Sequence, residues 1–294
     1  RSTPSNSSAA SDVYKRQLMN YIDPHIHMVS RTTDDYMRMA LAGCVCITEP
    51  AFWNGFDRSS VDGFRDYFLQ LTQYEPKRAA KYNIEYYSWL CINPKEGDDP
   101  AFAREVIGII PEFLKAQCVV GIGEIGLNKN TRNELIILEE QIALAEKYNQ
   151  LILVHTPHLE DKLKGTRLIM DAIKANSGID PDRVLIDHAE EHTVSEVLDR
   201  GYWAGLTIYP NTKCTPQRAT DIVEMYGPDR IWINSAADWG DSDPLSVPKL
   251  RFEMRQRGHS EELIEKITYG NPVEFLSQSE RFLHGIERYD CVKI

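Results

Sequence analysis

No apolar run in this chain approaches the roughly 20 residues that a membrane-spanning helix needs, so a helical membrane anchor is not expected. Cysteine is sparse. Six residues, none in a Cys-x-x-Cys pair, do not make a disulfide framework, and this points to a reducing, cytoplasmic compartment. Cys44 and Cys46 alternate on an expected strand, share a face and read as packing residues. Positive charge is also short: 33 Lys and Arg stand against 44 Asp and Glu, for a net charge of -11 and a pI near 5.3. A protein that tracks a polyanion normally carries a basic face, so nucleic acid is disfavoured as a partner. Bound divalent cations would offset local acidity. Residues 1–18 are Ser-rich and lack the apolar stretch of a secretory signal; they read as a non-native or disordered leader ahead of Met19.

What is present is an alternation. Short apolar, β-rich runs fall at 20–23, 44–49, 84–92, 118–124, 151–155, 183–188, 202–208 and 230–235. Amphipathic stretches of helical length lie between them, at 33–42, 60–81, 100–116, 132–149, 160–176, 193–200, 215–226 and 244–257. In 132–149, Leu135, Leu138, Ile142 and Ala145 recur at spacings of three and four, which marks one helical face. Continuous apolar strands imply parallel pairing with both faces covered. Eight such units in 294 residues predict an α/β fold, a (β/α)8 barrel of the TIM type, over an open doubly wound sheet. The open sheet usually begins with a Gly-rich phosphate loop, and none follows the first strand. The barrel is expected over 19–285 as one domain, with a helical extension at about 261–284 and a tail at 286–294.

In such a barrel the active site lies at the carboxyl ends of the strands. "YIDPHIHMVS" puts His25 and His27 at the first, on one side of an extended segment. "GIGEIGL" puts Glu124 at the fourth, "LVHTPH" His155 at the fifth, "LIDHAEEH" His188 at the sixth and "NSAADWG" Asp238 at the eighth. Each has an ordinary explanation alone: a satisfied buried imidazole, a helix cap, an acid paired with arginine, a turn residue. Together they place several ionisable groups at one rim, tolerable where a cation neutralises and orders them.

These residues resemble the TatD-like branch of the metal-dependent amidohydrolase superfamily. The resemblance rests on "DPHIH", "GEIGL", "LVHTP", the sixth-strand His, the eighth-strand Asp and the late "YGNPVEFL", and spans about residues 19–280. It implies one or two divalent ions. His25, His27 and Asp238 would hold one, His155 and His188 the second, and Glu124 would bridge them. The mixed imidazole and carboxylate donors suit Zn2+ or Mn2+, and Mg2+ less well. Hydrolysis of an ester, phosphoester or amide bond by activated water follows, with Asp238 moving a proton.

The chain departs from the nucleases of that branch in three places. "HAEEHT" brings Glu190 and Glu191 beside the site, "AADWG" brings Trp239, and Asn128 stands where Asp is common. Acids near the mouth are expected to repel a phosphodiester backbone. A metal-dependent deoxyribonuclease is therefore the second reading, and a catalytically silent metal-binding barrel serving a biosynthetic pathway the third. Other rim residues placed to touch a substrate are Glu49, Trp53, Asn93, His158, Tyr209, Lys213 and Trp239; Phe52, Trp53 and Trp239 would suit a small organic molecule.

Overall fold

The computed structural model describes residues 20–157 and 160–284, which leaves the expected leader, His158 and the tail outside the described residues. Eight parallel strands run in chain order, β1 (Tyr21–Asp23), β2 (Cys44–Pro50), β3 (Glu85–Leu90), β4 (Val119–Gly126), β5 (Leu151–His155), β6 (Val184–Ile186), β7 (Trp203–Thr207) and β8 (Ile231–Asn234). Each pairs in parallel with the next. The seam between β8 and β1 is closed just beyond the strand ends. The Ala236 N–H donates to the His25 carbonyl at 2.7 Å and the His27 N–H to the Ala237 carbonyl at 2.9 Å. Below them the Ser235 N–H donates to the Asp23 carboxylate at 3.1 Å. The result is the expected (β/α)8 barrel.

Period-two alternation sorts each strand between two apolar layers. On β5, Ile152 and Val154 face the helices, while Leu151 and Leu153 face the barrel interior with Trp89, Trp203 and Trp232. Phe275, from the helix Asn271–Leu276, meets the rings of Trp203 and Trp232 edge-on at 5.5 and 5.3 Å. The same parity carries His155 inward from β5, and Asp187 inward just after Leu185 on β6. The apolar interior therefore gives way, at the carboxyl end, to ionisable side chains.

The helix Arg132–Lys147 forms as its spacing predicts, burying Leu138, Ile142 and Ala145 and opening with a Thr131–Glu134 capping box. Two expected helices differ. The stretch 60–81 is Val61–Leu69, a π turn at Gln70–Tyr74, then Glu75–Ala80. The extension is Glu261–Glu265, a second π turn at Lys266–Gly270 and Asn271–Leu276, with the helix ending eight residues short of 284. Among the described residues no helix is long and apolar enough to cross a membrane.

Candidate active site

Glu124, at the end of β4, is the centre of the site. Its Oε1 lies 2.6 Å from His155 Nδ1, 2.9 Å from His188 Nε2 and 3.9 Å from His25 Nε2. Its Oε2 accepts from Asn93 Nδ2 at 3.2 Å. His27 completes the ring, with its Nε2 3.1 Å from His25 Nε2. All these side chains are buried. Burial alone would raise the Glu124 carboxyl, but His155 and His25 outweigh it and hold the group well below the usual carboxylate range. Burial pushes His27, His155 and His188 down, towards the neutral imidazoles that can act as ligands.

A layer behind them sets the rings. Asp187 hydrogen-bonds His25 Nδ1, and it also accepts from the His188 N–H at 2.7 Å and from Asn234 Nδ2 at 2.9 Å. Burial would raise this carboxyl, but His188 and His25 hold it well below its ordinary range. Thr207 Oγ1 on β7 meets His188 Nδ1 at 2.7 Å. His188 has a left-handed backbone, φ +59, steadied on one side by Asp187 and on the other by Lys162, whose ammonium donates to the His188 carbonyl at 2.7 Å. Asp187, Thr207 and Lys162 were not foreseen from the sequence. Asp187 was within reach of it, because it is two residues from the inward Leu185 and so had to face inward itself.

Above the ring is a cavity of about 60 Å³, room for several water molecules. Phe52 stacks on His27 with ring centroids 3.8 Å apart, and Trp53 meets Trp239 edge-on at 5.8 Å to form a lip. Lys95, Lys213, Asn93 and Asp238 also line it. Burial pushes the Lys213 ammonium down to about 8, against the pull of Glu124 and Asp238.

The rim residues inferred from the sequence divide. Trp53, Asn93, Lys213 and Trp239 line the cavity. Tyr209 stands behind it and donates its hydroxyl to Asp238 Oδ1 at 3.0 Å. Glu49 is away from it, fully buried, and its Oε1 accepts the Val29 N–H at 2.8 Å. Glu49 therefore fixes the loop that follows His27. Asp238 is on the cavity wall, with its Oδ1 taken up by Tyr209, the Gly240 N–H and Ser242; among the described residues, the grouping able to hold an ion is His25, Glu124 and His188, with ligand atoms within 4.8 Å of one another. The acidic mouth expected from "HAEEHT" is corrected. Glu190 pairs with Lys162 at 3.3 Å and with Arg218 at 3.1 Å, and Glu191 pairs with Arg218 at 2.6 Å. Their charge is neutralised, and the side chains that face the cavity include two lysines.

A parallel barrel that gathers three imidazoles around one carboxylate at its carboxyl end, with a fourth against them, defines a metal-dependent hydrolase. The chain belongs to the family described as TatD related DNase, which matches residues 22–274. It is 31% identical over 256 residues to an uncharacterised metal-dependent hydrolase of Methanocaldococcus jannaschii, covering 86% of this chain and 98% of that one. A TatD-like protein from Archaeoglobus fulgidus superposes with a TM-score of 0.71 at 26% identity, over 87% of this chain and all of that one. The β-aspartyl dipeptidase of Fervidobacterium islandicum shares the fold, with a TM-score of 0.64 at 15% identity over 88% of this chain and 74% of that one.

Proposed function

We propose that this chain hydrolyses an ester, phosphoester or amide bond of a small molecule, using the Glu124-centred ring as a metal site. The observation that carries the reading is one carboxylate oxygen within 3.9 Å of three imidazole nitrogens. A buried cluster of this kind, with imidazole nitrogens converging on an ionised carboxylate, is a donor set for a divalent cation. His25, His27, His155, His188, Glu124 and Asp238 are the residues we assign to it, with Zn2+ or Mn2+ as the best match to their chemistry. Such an ion acidifies water and polarises the bond to be broken.

The chain's own groups do the rest. Glu124, ionised by its surroundings, supplies negative charge at the centre. Asp187 and Thr207 set the faces that His25 and His188 present. Asp238, held by the Tyr209 hydroxyl and the Gly240 N–H, takes a proton from the attacking water and passes it to the leaving group. Phe52, Trp53 and Trp239 supply an apolar wall. The described cysteines are free thiols, in keeping with the cytoplasmic setting we propose. A deoxyribonuclease is the second reading, favoured by the two lysines at the cavity.

Glu124→Gln keeps the shape and removes the charge. The variant is expected to fold, by circular dichroism, to lose bound metal by plasma mass spectrometry, and to lose turnover by at least about a hundredfold. Wild-type metal content and rate in that variant would sink the reading.

A further inference from the structure

Four cations at the carboxyl end of the barrel are held by carboxylates. Arg31 pairs with Asp35, Arg58 with Glu96, Lys162 with Glu190, and Arg218 with Glu190 and Glu191. Lys95 and Lys213 are different. Among the described residues neither takes part in an ion pair, yet both line the cavity above Glu124. Each ammonium instead lies over an aromatic ring, Lys95 at 4.8 Å from the Trp53 centroid and Lys213 at 4.5 Å from that of Tyr209. A ring steadies a cation without using its N–H donors, so these remain for a ligand. The rings are themselves anchored: Trp53 Nε1 donates to Asp57 at 2.8 Å, and the Tyr209 hydroxyl to Asp238 at 3.0 Å.

Resting on the hydrolase reading, we propose that Lys95 and Lys213 determine specificity by binding one acidic group, a carboxylate or a phosphate, of a compact substrate whose flat apolar part meets Trp53 and Trp239. Two ammonium groups in a recess attract an oxyanion and discriminate against a neutral analogue, whose binding would leave them desolvated and uncompensated. The small cavity and its aromatic lip limit the rest of the molecule. Phe52 and His27 are stacked, and Gly55, with φ +90, lets the loop after β2 pass within van der Waals reach of Trp239, its Cβ position 3.7 Å from that ring.

The test is calorimetric titration of the full chain, metal-loaded and again after chelation, with benzoate, phenyl phosphate and neutral benzamide. Both anions are expected to bind at least about tenfold more tightly than benzamide. Lys95→Met and Lys213→Met should each cost the anions about tenfold, leave benzamide unchanged, and do so with or without metal. The tighter anion identifies the acidic group. Equal losses for anion and amide, loss of the lysine effect on chelation, or no anion binding would overturn the proposal. So would a single-stranded oligonucleotide that binds more tightly than phenyl phosphate through the same lysines. The hydrolase reading fails separately, through absence of metal or metal-dependent turnover in a protein whose anion selectivity is intact.

Discussion

At the scale of the residue, the ligand types were legible and their supports were not. His25, Glu124, His155 and His188 stand out in the sequence because ionisable residues at the ends of apolar runs are conspicuous. Asp187 is hidden beside His188, although it orients the His25 ring and holds the His188 backbone N–H. Asp187→Asn keeps the size and removes the charge that holds the His25 ring. Metal affinity is expected to fall about 10–100-fold, measured by competition with a chromophoric chelator, with the fold retained. An unchanged affinity would mean that His25 keeps its orientation without that charge. The charge of the mouth was misread because Arg218 and Lys162 neutralise Glu190 and Glu191 from 27 and 28 residues away in sequence. Lys213 gives the pH prediction. Its ammonium is pushed down to about 8 in the fold, against about 10.4 in an unfolded chain. A lowered pKa on a base means that the charged form destabilises the fold. The penalty is full below pH 8 and fades as pH rises towards 10.4. Lys213→Met should therefore stabilise the chelated protein by about 1–3 kcal/mol at pH 7, and by much less near pH 10. Urea denaturation at the two pH values checks this, and equal differences would refute it.

At the scale of the element, strand positions were legible because parallel strands buried on both faces are continuous apolar runs. Helix interiors were less so. Nothing in 60–81 or 261–284 marks the two π turns, since a single added residue leaves the apolar spacing nearly unchanged. Nor did the pattern show which strand residue must be bare. On β7, a Cβ at Gly205 would lie 2.1 Å from Asp187 Oδ1 and 2.8 Å from Trp232 Nε1. Strand β7 passes so close to the Asp187 carboxylate that only glycine fits. Gly205→Ala is expected to cost about 1–3 kcal/mol through overpacking. Because the atom displaced is the one that receives the His188 N–H, metal affinity should fall together with stability. Thermal unfolding with and without added metal separates the two effects. A loss of stability with full metal affinity would show that Asp187 can move aside without disturbing the imidazoles.

At the scale of the molecule, two electrostatic patterns oppose one another. The chain as a whole carries -11, which repels a polyanion at long range. The cavity presents the ammonium groups of Lys95 and Lys213, which take part in no ion pair among the described residues and attract an anion at short range. A compact acid experiences mostly the second field, because it fits inside it. Duplex DNA experiences both, because it extends well beyond the cavity. The number of phosphates neutralised can be read from salt dependence, at a slope of about -0.9 per contact. If only Lys95 and Lys213 engage, the slope of log affinity on log salt should be no steeper than about -2, and binding at about 0.15 M salt should be weaker than about 10⁻⁴ M. Fluorescence anisotropy of a labelled duplex over a salt series, with metal held in place, gives both quantities. A slope near -5 with micromolar affinity would require several further basic contacts. That result would move the preferred substrate from a small acid to DNA, with the two lysines then read as the end of a longer phosphate track.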